Sequence, residues 1–185
     1  MQNQKDRRCL RSEKAIKAAF HECLLSVGFE AMTVKELAEK ADISRKTFYL
    51  HYDDKYDLLK EITEEMIGEL EVLCEKKKDL GLAEGTVLWF RYFDERKAFF
   101  TALFTADNTT AFRSRLMNFM MEQIDIKLIG VSQEKNTKVL RKFMAMAVLG
   151  VLESCVLGQL DGNVDETAMQ VGELLDDMIK RACRK

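Results

Sequence analysis

From Ile16 the apolar residues Ile16, Phe20, Cys23, Leu24 and Val27 return at intervals of three and four, the spacing that gathers them on one helical face, and Gly28 is placed to end that helix. Met32-Thr33-Val34-Lys35-Glu36-Leu37 reads as the start of a second helix. Thr33 can accept from the Glu36 amide while the Glu36 side chain reaches back, and Met32 can pack on Leu37. The inward face of this helix is Val34, Leu37, Ala38 and Ala41, and it breaks at Asp42, a residue type that tolerates left-handed backbone. Ser44 is suited to cap a third helix, with Phe48 and Tyr52 turned inward and Lys46, Thr47, Tyr49 and Leu50 outward. Arg45 and His51 flank the outward arc. Two short helices joined by a three- or four-residue turn make a helix-turn-helix.

A fourth helix opens with Asp53 and Asp54, where the helix dipole favours acidic groups, and carries the stripe Leu58, Leu59, Ile62, Met66, Leu70 and Leu73. It is expected to run through the charged stretch 75–79 to Gly81, which makes it long enough to join two domains, 1–55 and 56–185. Beyond Leu82 the aromatics Trp89, Phe90, Tyr92, Phe93, Phe99, Phe100, Phe104, Phe112 and Phe119 fall on three expected helices, with breaks at Asp94, Asp107 and Asn108.

Between Phe143 and Leu160 the one charged residue is Glu153, so this helix needs cover on more than one side. A membrane span is disfavoured by Glu153, Ser154 and Gln159 and by the lack of flanking aromatic anchors. Gly150, Ser154 and Gly158 form a small-residue stripe, and after Asp161-Gly162-Asn163 the last helix repeats Val164, Ala168, Val171, Leu175, Met178 and Ala182 like a heptad seam. Two such helices from each of two subunits would build a four-helix bundle, with Gly150, Ser154, Gly158, Val171, Leu175 and Met178 at the interface; alternatively both helices complete a monomeric core.

The chain has no proline in 185 residues, which favours long unbroken helices and an all-α fold of about nine helices. Its 47% hydrophobic and 32% charged residues are those of a soluble globular protein. Five scattered cysteines suggest neither a disulfide framework nor a zinc site, and the charged N-terminus lacks the apolar stretch of a secretory signal, so a cytoplasmic location is expected. The net charge of −2 is unevenly spread: residues 1–55 hold 11 basic against 9 acidic side chains, and residues 56–185 hold 18 against 22. Lys5, Arg7, Arg8, Arg11, Lys14 and Lys17 all lie in the first 17 positions, where cations would meet phosphates. With two histidines, no glycine-rich phosphate loop and no recognisable nucleophile motif, an enzyme is not expected, nor a cofactor or bound metal.

The run from Thr33 through Leu37-Ala38, Ala41, Ser44, Thr47-Phe48-Tyr49, His51 and on to Lys55 resembles the DNA-binding signature of the TetR (TetR/AcrR-type) family of transcriptional regulators. Ala18-Ala19 and Gly28-Phe29 match it too, and the similarity covers about residues 8 to 60. Two positions depart from the common pattern. Asp42 stands where glycine is usual, and Lys46 stands where a small residue often sits.

The resemblance implies an N-terminal three-helix helix-turn-helix domain, followed by a helical regulatory and dimerisation domain. The third helix would enter the major groove of double-stranded DNA. Arg45 and Lys46 would read bases and Leu50 would touch a thymine methyl. Thr33, Thr47, Tyr49, His51 and Lys55 would hold the backbone. The implied protein is a homodimer on a palindromic operator, a repressor released by a small apolar or aromatic effector. Trp89, Phe90, Phe93, Phe100, Phe104 and Phe119 would line the effector pocket, although such aromatics equally suit plain packing. The other reading is a helical effector-binding or protein-interaction co-regulator that acts without a small ligand.

Overall fold

The computed structural model describes residues 2–76, 80–128 and 136–183, and among them it is entirely helical, with no strand. The chain order is α1 (Gln2–Ser26), α2 (Gly28–Ala31), α3 (Val34–Lys40), α4 (Arg45–Phe48), α5 (Lys55–Lys76), α6 (Leu82–Asp94), α7 (Lys97–Thr105), α8 (Thr110–Lys127), α9 (Asn136–Val156) and α10 (Val164–Cys183). Among the described residues there are ten helices where about nine were expected, the addition being the single turn α2, entered through Gly28 at φ 78°. The basic residues of the first 17 positions lie within α1. The expected course of the chain through residues 77–79 lies outside the described residues.

The N-terminal unit closes around Ile16, Phe20 and Leu24 of α1, which pack with Leu37 of α3 and with Phe48 and Tyr52, all at most 3% exposed. The capping box at Thr33 forms as its sequence requires. At the far end of α3, Ile43 N donates to Ala38 O at 3.0 Å and Asp42 N to Glu39 O at 3.2 Å, the two bonds of a Schellman motif. Asp42 therefore takes the glycine position, at φ 51°.

An ion-pair hub ties α1 to α5. Lys17 Nζ lies 2.5–2.6 Å from carboxylate oxygens of Glu13, Glu61 and Glu65, and Tyr52 Oη donates to Glu61 at 3.1 Å. Burial works against the charge on Lys17, yet the hydrogen bonds to the three glutamates outweigh it and hold the ammonium well above its usual pKa. The three carboxylates are close enough together to suggest a cation site, and the Lys17 ammonium fills it. Since Glu61 and Glu65 lie two and three turns into α5, the head's packing continues past the boundary expected at Lys55.

In the C-terminal unit α10 lies along α6. Gly172 allows the approach, because a Cβ there would stand 2.4 Å from Ala83 Cα. Arg91 on α6 clamps Asp165 at the start of α10 with two hydrogen bonds of 2.8 and 2.5 Å. Of the residues expected at a subunit seam, Leu175 is buried within the chain itself, while Val171 and Met178 are partly buried against its core.

Gly158 has a local role in the fold. It sits beyond the end of α9 at φ 67°, with Gly158 N donating to Cys155 O and Gln159 N to Ser154 O, and so it stops the helix. Ser154 is half-buried and Gly150 exposed. Glu153, the one charge between Phe143 and Leu160, pairs with Arg113 of α8 at 2.7 Å. Among the described residues no helix is long and apolar enough to cross a membrane.

Gly172→Ala forces α6 and α10 apart and is expected to destabilise the fold by about 1–3 kcal/mol, the usual cost of overpacking. Urea denaturation followed by circular dichroism measures it. An unchanged midpoint would show that the two helices part without cost.

Candidate nucleic-acid interface

Helix α4 is one turn long, and its sequence explains both its start and its orientation. Ser44 Oγ accepts from Thr47 N at 3.0 Å, which supplies the cap. Phe48 is fully buried and meets the Tyr52 ring at 5.7 Å. The chain continues in turns, with Tyr49 N, His51 N and Tyr52 N donating to Arg45 O, Phe48 O and Phe48 O at 2.9–3.0 Å. With Phe48 and Tyr52 anchored, the residues between and before them point to solvent.

Six of the eight sequence-predicted contact residues come together on this surface. Arg45 and Lys46 are exposed and, among the described residues, have no ion pair or side-chain hydrogen bond, whereas Lys17, Lys40, Arg91, Arg113, Arg115 and Arg141 are all salt-bridged. Tyr49 is 56% exposed and Leu50 77%, a large apolar outlay for a surface turn. Thr47 shares a 2.9 Å hydrogen bond with Ser44. His51 Nδ1 sits 3.9 Å from Cys9 Sγ, which brings the exposed Arg8 and Arg11 of α1 to the same flank.

The side chains of the other two residues are bonded to groups of the protein itself, although Thr33 is exposed. Thr33 gives both its hydroxyl and its amide proton to Glu36 Oε2, at 2.8 and 2.9 Å. These bonds hold the Glu36 carboxylate below its usual pKa. Lys55 Nζ donates to Phe29 O, Glu30 O and Met32 O at 2.8, 2.9 and 3.0 Å, which uses all three of its protons. The same ammonium lies 4.9 Å from the centroid of the Phe29 ring.

Lys55 thereby fastens the end of α2 to the start of α5, and α2 is held from its other side as well. Glu30 accepts from Asn108 N at 3.0 Å and from Asn108 Nδ2 at 2.7 Å. The two bonds lower the Glu30 pKa. Nearby, His21 of α1 stacks on Phe99 of α7 with ring centroids 4.5 Å apart. Glu30 and Asn108 did not stand out in the sequence, since a glutamate before a helix and an asparagine in a turn carry no signal of being partners 78 residues apart.

The C-terminal unit holds a cavity of about 180 Å³ between α5, α6, α8, α9 and α10. Trp89, Met120, Met144, Val148 and Leu175 line it. Of the six residues expected to line a pocket, Trp89 is at this cavity. Phe119 stacks on the Trp89 ring at 5.4 Å, and Phe90 is buried in the core. Phe93, Phe100 and Phe104 pack together, with Phe93 and Phe100 rings 4.4 Å apart and Phe100 and Phe104 rings 6.4 Å apart. They fill space rather than enclose it, because each aromatic finds another ring to bury against.

Residues 16–62 match the family model described as bacterial regulatory proteins of the tetR family, and residues 82–177 match one described as a transcriptional regulator C-terminal region. The chain is 28% identical over 96 residues to the HTH-type dhaKLM operon transcriptional activator DhaS of Lactococcus lactis, an alignment covering 52% of this chain and 50% of that one. It is 36% identical over 55 residues to the uncharacterised HTH-type transcriptional regulator YxbF of Bacillus subtilis, covering 30% of this chain and 14% of that one. The chain thus spans half or less of the length of these two curated relatives. A crystal structure of a TetR transcriptional regulator from Streptococcus agalactiae shares its fold, with a TM-score of 0.77, 21% identity and coverage of 95% of this chain and 99% of that one.

Lys55→Met leaves three carbonyls without their donor, and the fold is expected to lose about 1–3 kcal/mol, read from the urea midpoint. If the side chain served only a DNA phosphate, the midpoint would stay where it is and DNA affinity alone would fall.

Proposed function

The chain belongs to the TetR family of bacterial transcriptional regulators, and from that premise we propose that it binds a palindromic operator as a homodimer and acts as a repressor released by a small-molecule effector. What carries the reading is the set of exposed, unpaired donors on a rigidly backed turn: Arg45, Lys46 and Tyr49, with Leu50 between them and His51. A one-turn helix standing on Phe48 and Tyr52 fits the major groove, whose base edges Arg and Lys read through guanine O6 and N7. Leu50 is matched to a thymine methyl. Thr47, Tyr49 and His51 contact phosphates and fix register. Thr33 and Lys55 act one step back, holding the frame that presents the others.

Dimerisation uses the outer face of α9. Val139, Phe143 and Met146 are 55–70% exposed and, with Gly150, fall on one side of the helix, while Leu174 of α10 is 65% exposed. An isologous pairing of this face would bury them. It would also set two copies of α4 to meet half-sites about 34 Å apart. The effector would act through α2, the element bonded both to Lys55 at the base of the head and to Asn108 of the helical unit. A ligand that shifts the α7–α8 turn would tilt the head and spoil the half-site spacing. The lactococcal relative is named an activator, which favours a second reading in which this same DNA binding promotes transcription.

Selection from a random duplex library tests the proposal. The wild type is expected to enrich a two-half-site palindrome, with affinity falling steeply as salt rises. Arg45→Ala is expected to weaken binding by about 10- to 100-fold and to relax one position in each half-site, while Tyr49→Ala weakens all sequences alike. No enrichment by the wild type at low salt would remove the DNA-reading proposal.

A further inference from the structure

The cavity in the helical unit has a distinct floor and rim. Thr86, Trp89, Met120, Ile124, Met144, Val148 and Leu175 are buried, and they make the floor almost wholly apolar. The one hydroxyl among them, Thr86 Oγ1, donates to Leu82 O at 2.8 Å. Trp89 Nε1 likewise donates to Cys74 Sγ at 3.2 Å.

The α8 side of the rim is different. Met120, Gln123, Ile124 and Lys127 recur at intervals of three and four, so one face of α8 turns toward the cavity with its apolar residues deep and its polar residues at the mouth. Lys127 is exposed and Gln123 half-buried, and neither side chain has a hydrogen-bond or ion-pair partner among the described residues. An unpaired cation and a free amide at the mouth of an apolar chamber are complementary to one kind of molecule.

Resting on the reading of the helical unit as an effector domain, we propose that the cavity takes a small organic monoanion, with its apolar body against Trp89 and its carboxylate on Lys127 and Gln123. The volume of about 180 Å³ sets the size, since a cavity of roughly 150 Å³ holds a benzene ring. One ring or a short branched chain fits, and a long acyl chain does not. Glu75 lines the α5 side of the rim, so the carboxylate is expected on the opposite, α8 side.

Trp89 is the only tryptophan in the chain, so its emission reports on the cavity directly. The experiment is a titration of the full-length protein with benzoate and, in parallel, with benzamide, its uncharged counterpart, excited at the red edge of the tryptophan band. The expected result is a saturable change in Trp89 emission with benzoate, at least about ten-fold weaker both for benzamide on the wild type and for benzoate on Lys127→Gln. Equal affinity for benzamide, no loss in Lys127→Gln, or no saturable change with benzoate would each overturn the assignment. The benzamide arm needs no variant, so it stands even if Lys127→Gln folds poorly. DNA selection by the ligand-free protein is read separately, so a silent Trp89 would overturn the ligand class and leave the DNA reading in place.

Discussion

Three backbone carbonyls at the end of α2, those of Phe29, Glu30 and Met32, converge on the ammonium of Lys55, and the position of the whole head follows from that contact. A four-residue helix cannot satisfy its own terminal carbonyls, so it needs a donor from elsewhere. The donor comes from the first residue of α5, the helix that follows the recognition turn. Everything between Met32 and Lys55, meaning α3, the Asp42 turn and α4, is consequently a closed loop whose two ends are tied together. The Lys17 hub braces α5 against α1 from the other side, and Phe48 and Tyr52 fill the interior. Within such a frame a single turn of helix can be held rigidly enough to present Arg45, Lys46 and Tyr49 without partners of their own.

The second organising constraint is the close contact of α10 with α6. Gly172 brings two backbones together, and much of the apolar side of α10 is used in that contact. The outer side of α9 is left open among the described residues, with Val139, Phe143 and Met146 exposed. On the proposed reading, one helix pair therefore closes the chamber with Trp89 in its wall, and the neighbouring face joins two such chambers into a dimer. Effector site and subunit contact would then share α9, which lends Met144 and Val148 to the first and the residues beside them to the second.

Local features were the legible ones. The capping box at Thr33, the left-handed turn at Asp42, the Ser44 cap and the inward Phe48 and Tyr52 all follow from residues within a few positions of one another, and each stands in the structure as its sequence implies. Partnerships over long separations were not legible. A lysine beside a DNA-binding motif reads as a phosphate ligand, and only the fold shows that its three protons are taken by carbonyls 23 to 26 residues away. The heptad-like spacing in α10 marks an apolar side, part of which packs on α6, but periodicity cannot say which helix fills it. Likewise the richest aromatic run marked the core, and the cavity opened beside it, where methionines and a tryptophan pack less completely.

On the proposed reading α2 is the joint between two units, bonded to the head by Lys55 and to the body through Glu30 and Asn108. The most direct test is amide hydrogen exchange on the wild type and on Asn108→Ala, a substitution in the α7–α8 turn that leaves the head's sequence untouched. If α2 transmits as proposed, exchange quickens not only around residue 108 but also across Thr33 to Leu50 in the head. Faster exchange confined to the neighbourhood of residue 108 would contradict it, and would mean that head and body are held together by packing in which α2 plays no special part.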